Sequence, residues 1–187
     1  MGHKITAGTK APGFTFDSPW KKSLKFYDFL KSGNTILIFL RYMGCPICQM
    51  RISEIRRDWD EFNKRKLNVL VVLQSETENV ISVSGSGETL KEKDVPFTIV
   101  LDPKEEIFGL YGVLPGSIFR YITPGTIVKA MRSKKLGFKH GVSEGKELQL
   151  PAVFIVDNKK VVKYAYYGKS VSDVPGNKEL FDTAEGL

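Results

Sequence analysis

Residues 35–40, Thr-Ile-Leu-Ile-Phe-Leu, carry no charge, and a helix-period stripe begins eight residues after their end. An uninterrupted apolar run of this kind reads as a strand buried on both faces, inside a sheet that helices cover on both sides. The stripe is Cys48, Ile52, Ile55, Trp59 and Phe62, spaced four, three, four and three, which is one face of an α-helix. A buried strand that runs directly into an amphipathic helix leaves few architectures open. The chain must build an α/β sheet, and the turn at Arg41–Cys45 must lie at one end of it.

The remaining pattern repeats that unit. Leu67–Leu73 and Pro96–Asp102 read as second and third buried strands, and Glu105–Tyr111 has helical spacing. Pro151–Val156 and Val161–Tyr167 form a hairpin across Asp157-Asn158-Lys159-Lys160. Proline at 151 can begin a strand without breaking a ladder. Phe14-Thr15-Phe16 suggests a short strand, Lys25–Lys31 a short helix with Phe26, Phe29 and Leu30 inward, and Lys178–Ala184 a terminal helix. The run 77–83 can be helical, with the Ser-Gly-Ser-Gly of 84–87 as a loop. Residues 113–148 read only as an insertion or excursion, moderately amphipathic at Ile127–Arg132. The expected fold is thioredoxin-like α/β: a mixed central sheet flanked by helices, with an N-terminal extension and an insertion around 113–148. No linker or internal repeat divides it, so residues 1–187 are expected to form a single domain.

Composition narrows the function. A chain of 187 residues with 42% apolar content is an ordinary globular domain. No apolar stretch reaches the roughly 20 residues of a membrane helix, and no apolar leader precedes Pro12. The formal charge is +7 and the pI near 9.3. The basic residues are spread along a helix and through 129–139 without a nucleic-acid motif, which reads as a solvated surface. Two cysteines are too few for a secreted disulfide framework. A cytoplasmic protein without nucleic-acid or membrane partners is expected.

Both cysteines stand in Cys45-Pro46-Ile47-Cys48 at the strand-to-helix turn. Pro46 suits the first helical position, which makes Cys45 the N-cap. Orphan backbone N–H groups and the positive helix end stabilise a thiolate there, lowering its pKa from about 8.5 to between roughly 3.5 and 7.5. Cys48 falls on the core-facing stripe. The expectation is an exposed, activated Cys45 that attacks and a buried Cys48 that resolves the mixed disulfide or sulfenic acid. Arg41 and Gly44, beside Cys45, and Pro151 are the expected substrate-binding residues. Other readings are two merely buried cysteines, half a zinc site, a Cys–His hydrolase using His140, and a binding module with idle thiols. Structural zinc wants four ligands, and only His3 and His140 are available, so neither a metal nor a cofactor is expected.

Several segments resemble the peroxiredoxin-like branch of the AhpC/TSA family, and Cys-Pro-Ile-Cys resembles the redox motif of thioredoxin-fold proteins. They are Ala11-Pro12-Gly13-Phe14, Phe39 through Cys48, Leu150 through Asp157, and Tyr166 through Pro175. The resemblance implies a thiol–disulfide oxidoreductase cycling a Cys45–Cys48 dithiol and disulfide. Its partners would be a thioredoxin- or glutathione-type reductant and a disulfide or peroxide substrate, with a homodimer as one compatible assembly. A thiol-dependent peroxidase is the alternative. The resemblance also implies that Pro151 is a cis proline facing the cysteines. Typical peroxiredoxins place proline seven and threonine three residues before the attacking cysteine, and an arginine before the late strand. Here those places hold Arg41 and Cys45 counting from Cys48, or Ile38 and Tyr42 counting from Cys45, and Leu150-Pro151 occupies the late position. The resemblance therefore implies the family more than it implies peroxide chemistry.

Overall fold

The computed structural model describes residues 3–82 and 90–187. The Ser-Gly-Ser-Gly expected as a loop, and the last residue of the expected 77–83 helix, lie outside that range.

The chain opens with β1 (Thr15–Phe16) and β2 (Leu24–Lys25), an antiparallel pair apart from the main sheet. Helix α1 (Phe26–Phe29) follows at once; it is shorter than its expected 25–31 because Lys25 is held in the ladder opposite Thr15. Then come β3 (Thr35–Phe39), α2 (Pro46–Arg57), α3 (Trp59–Lys64), β4 (Asn68–Leu73), α4 (Thr77–Ile81), β5 (Thr98–Leu101) and α5 (Glu106–Leu110). The excursion holds α6 (Ile118–Tyr121) and α7 (Pro124–Lys135), and β6 (Ala152–Val156), β7 (Val162–Tyr167) and α8 (Asn177–Glu185) complete the chain.

The five-stranded sheet has the order β5-β4-β3-β6-β7. β3, β4 and β5 are parallel, β6 joins β3 antiparallel, and β7 pairs antiparallel with β6. This is the expected mixed sheet. Strand alternation divides the core in two. Ile36 and Ile38 turn to the face covered by Ile52, Ile55, Phe62 and Leu180, from α2, α3 and α8. Leu37 and Phe39 turn to the other face, with Phe26, Phe108, Tyr111 and Phe154. Phe39 contacts Phe108 and Phe154 edge-on at 5.1 and 5.6 Å between ring centres, a favoured aromatic geometry.

Two further features depart from expectation. The helix through Trp59 and Phe62 breaks at Asp58, where φ is −97° and ψ 19°. The Asp58 carboxylate there accepts from the side chains of Arg57 and Asn177. Phe62 still reaches the core, so the stripe survives the break. The excursion 113–148 is more ordered than its glycines and prolines suggest. Pro124 begins α7, and Thr123 caps it by accepting the Thr126 N–H at 3.1 Å. Thr126 Oγ1 and Lys129 then tie α7 to Ser172, and α7 packs on α2. Among the described residues no helix is long and apolar enough to cross a membrane.

Candidate active site

β3 delivers the chain to the carboxyl end of the sheet. The turn there is fixed by two backbone bonds, Leu40 N–H to Val72 O and Gln74 N–H to Arg41 O, and by a side-chain acceptor, Ser75 Oγ, for Met43 N–H. Cys45 is the N-cap of α2 with Pro46 directly inside, as its sequence implies. Cys48 lies one turn in. Both thiols are free.

The expected split into exposed and buried sulfurs is corrected by the structure, because Cys45 is 1% exposed and Cys48 3%. The cause is the end of the excursion, which crosses back over the helix tip. Gly141 N–H bonds Gly44 O, Gln49 Nε2 reaches Lys139 O, and the Glu144 carboxylate accepts from Ser75 Oγ. A Cβ on Gly44 would lie 2.1 Å from Val142 O. Only glycine lets the strap lie this close, so Gly44 supports the strap and does not line the pocket.

Arg41 reaches the site. Its Nη2 is 2.9 Å from Cys45 Sγ, and its Nη1 donates to Glu147 O at 2.6 Å and Glu147 Oε2 at 2.9 Å. The rings of Tyr42 and Tyr121 each lie 5.2 Å from the guanidinium carbon, an arrangement in which cation–π attraction adds to the ion pair. Tyr42 Oη also donates to Glu147 Oε1 at 2.5 Å. Burial works to raise the Glu147 carboxyl, but the bonds from Tyr42 and Ser143 and the Arg41 charge leave it below its ordinary value.

The two sulfurs share this environment unequally. The Cys48 thiol, hydrogen-bonded to the Cys45 sulfur, does most to favour a Cys45 thiolate. Burial opposes it, the Arg41 charge and hydrogen bond assist, and the Cys45 pKa falls from 9.0 to about 6. The same sulfur–sulfur bond and complete burial hold the Cys48 thiol well above 9.0. The pair therefore rests at neutral pH as one thiolate and one thiol. Such sharing of a proton is how paired groups acquire separated acid and base roles.

A pocket of about 180 Å³ opens beside this pair. Cys48, Arg41 and Pro151 line it, and Cys45 meets it only through Cys48 and Arg41. Pro151 thus shares the pocket lining with Cys48, and its peptide bond is trans, not the cis form the resemblance implies; the described residues contain no cis bond. The trans form is the intrinsically favoured one, and Pro151 O accepts the Gly168 N–H at 2.8 Å, extending the β6–β7 pairing. Tyr42, Tyr121, Glu147, Arg51 and Lys129 complete the site and were not singled out in sequence, since no local motif marks them. His140 lies 3.3 Å from Tyr42 Oη. No cluster of three metal-ligating side chains occurs among the described residues.

The AhpC/TSA family model matches residues 7–165. This chain belongs to the AhpC/TSA family. Curated relatives of this AhpC/TSA protein include the mitochondrial peroxiredoxin PRX1 of Saccharomyces cerevisiae, 23% identical over 177 residues, with 91% of this chain and 60% of that protein covered. The thiol-disulfide oxidoreductase ResA of Bacillus thuringiensis is 23% identical over 114 residues, covering 60% of this chain and 61% of that one. The chain therefore spans about three-fifths of the length of these relatives. Among solved structures, peroxidoxin BcpB of Mycobacterium tuberculosis matches with a TM-score of 0.69 at 12% identity, covering 99% of both chains. The reduced 2-Cys peroxiredoxin of Plasmodium vivax matches at 0.68 and 14% identity, covering 96% of this chain and 80% of that one. These likenesses establish the fold of the AhpC/TSA domain.

Proposed function

We propose that the chain is a thiol–disulfide oxidoreductase working through the Cys45–Cys48 pair. The observation that carries the reading is the Cys45 sulfur at the N-cap of α2, 2.9 Å from a guanidinium that Glu147 holds in place. A thiolate is the attacking form, and a Cys45 pKa of about 6 favours it at neutral pH. In the reaction, the Cys45 thiolate attacks one sulfur of a disulfide RSSR, the S–S bond breaks, and RS⁻ leaves. Cys48 gives up its proton and attacks Cys45 of the mixed disulfide, releasing the second RS⁻. The protein dithiol is oxidised, the substrate is reduced to two thiols, and an external dithiol must reset the pair.

A second order of attack is favoured by the pocket, which touches Cys48 and not Cys45. In it the Cys48 proton passes to the Cys45 thiolate, Cys48 attacks, and Cys45 resolves. Single-cysteine variants separate the two. If Cys45 attacks, Cys48→Ser retains stoichiometric mixed-disulfide formation and Cys45→Ser loses it; the reverse pattern assigns attack to Cys48.

Peroxide is the alternative substrate, supported by the peroxiredoxins among the relatives. ResA supports the disulfide reading. The places of that family's proline and threonine hold Ile38 and Tyr42 counting from Cys45, or Arg41 and Cys45, whose groups are engaged with each other, counting from Cys48. Stopped-flow oxidation of the reduced protein by hydrogen peroxide tests this. A rate constant well below about 10⁴ M⁻¹s⁻¹, where enzyme efficiencies begin, is expected, and a value above it makes the protein a peroxidase.

One solved relative, a yeast mitochondrial 1-Cys peroxiredoxin, is resolved via glutathione and thioredoxin systems. A reductant of one of those types is proposed here, together with a reducing compartment such as the cytoplasm. A homodimer would use the α6–α7 surface, where Phe119, Ile122, Val128 and Met131 are 84%, 66%, 65% and 68% exposed.

A further inference from the structure

We propose that the pocket beside Cys48 is an anion-recognising subsite, in which Arg51, with Lys129 and Arg132, holds a carboxylate of the thiol-reactive substrate. The proposal rests on the oxidoreductase reading and names the class of its substrate.

Arg51 stands one turn beyond Cys48 on α2, and both residues line the same pocket. Its side chain is 6% exposed. Nη1 donates to Asn177 Oδ1 at 2.5 Å and lies 3.7 Å from Glu54 Oε2. Nε and Nη2 are buried with no hydrogen-bond partner among the described residues. A guanidinium carries five donors and stays charged, and a buried charge with unspent donors is costly unless an anion meets it. Among the described residues the only carboxylate in the lining is Glu54, and it is divided: its other oxygen lies 3.7 Å from Arg132 Nη2. Lys129 and Arg132, one turn apart on α7, line the pocket as well.

A further contribution comes from α8. Its N-cap, Gly176, lines the pocket and offers no side-chain cap, so the positive end of a nine-residue helix opens there. The rest of the lining is largely apolar, with Ile47, Met50 and Val174 among it. Cationic groups and an apolar surface together, with Cys48 in the lining, fit a small organic disulfide or thiol that bears a carboxylate. A guanidinium fork pairs with a carboxylate through two parallel bonds, and Arg51 keeps two unpartnered donors, buried in the pocket wall, that an entering carboxylate reaches once the side chains over them shift.

The test compares two probes on the reduced full chain: dianionic 5,5′-dithiobis(2-nitrobenzoate) and neutral 4,4′-dithiodipyridine. Their rate ratio cancels changes in sulfur reactivity and leaves the effect of probe charge. Arg51→Gln is expected to lower the dianion-to-neutral ratio about tenfold or more, the loss of a charge-assisted bond, with saturation by the dianion moving to higher concentration. Arg51→Lys restores part of it. Arg132→Glu, at an exposed position, lowers the ratio in the same direction, so the outcome does not depend on the Arg51 variants folding. Sodium chloride compresses the wild-type ratio. A ratio within about twofold of wild type in both Arg51→Gln and Arg132→Glu overturns the subsite while leaving the oxidoreductase reading intact. If neither probe oxidises the pair in the wild type, the oxidoreductase reading itself fails.

Discussion

Replacing Arg41 by Met removes the donor 2.9 Å from the Cys45 sulfur while keeping an apolar side chain between Tyr42 and Tyr121. A hydrogen bond to a charged group is worth about 1.5–3 kcal/mol, and one pKa unit corresponds to about 1.4 kcal/mol. The Cys45 midpoint, about 6 in the intact site, should therefore move up by about one to two units. At pH 7 the thiolate fraction would fall from about nine-tenths to somewhere between one-half and one-tenth, and the difference should vanish above pH 9. Thiolate absorbance near 240 nm, followed from pH 4 to 9 on the reduced protein, reads this directly and needs no reagent to enter the site. Cys45 is depressed below its ordinary value of 9.0, so the folded state holds fewer protons there than the unfolded chain. The associated stability is complete above about pH 9 and is lost as pH falls through about 6. Urea unfolding of the wild type should show that slope, and Arg41→Met should shift it towards higher pH. A variant whose absorbance midpoint stays at the wild-type value refutes the role of Arg41, leaving the Cys48 thiol and the helix end to account for the depression.

Other expectations follow from the same geometry. Gly44→Ala places a Cβ 2.1 Å from Val142 O, so the strap must lift; a loss of about 1–3 kcal/mol and faster alkylation of Cys45 are expected, read by thermal melting and iodoacetamide labelling. Asp102→Ala removes the carboxylate that accepts the N–H groups of Glu106, Ile107 and Phe108, and should cost about 0.5–2 kcal/mol in urea without moving the Cys45 midpoint. Ile55→Ala empties a fully buried position between α2 and the sheet and should cost about 2–5 kcal/mol in the same assay.

The strands and the main helix were legible because burial imposes a period. Ile36 and Ile38 against Leu37 and Phe39, and the stripe from Cys48 to Phe62, state their partners through spacing alone. The N-cap position of Cys45 was legible for a similar reason, since Pro46 tolerates few places in a helix. The burial of Cys45 was not, because it depends on a strap almost a hundred residues away that has no periodicity of its own. Glu147 meets Arg41 across 106 positions, and nothing local to either residue records the pairing. The Arg51 side chain was hidden in another way: in sequence it is one more cation in a basic helix, and only packing against Asn177 separates it from Arg56 and Arg57 on the exposed side. The trans bond at Pro151 shows the limit of resemblance, since the fold family's cis geometry was carried over from a motif and the chain here closes its hairpin without it.

The central claim is that Cys45 and Cys48 exchange reversibly between dithiol and disulfide. Equilibrating the protein in glutathione buffers of graded potential, then trapping and weighing it, tests that claim most directly. The account predicts loss of two hydrogens with both thiols blocked, reversed by dithiothreitol, and a midpoint between about −270 and −120 mV, the span of dithiol oxidoreductases. Thiols that stay reduced throughout, or a bridge that stays oxidised down to potentials far below about −300 mV, would contradict it.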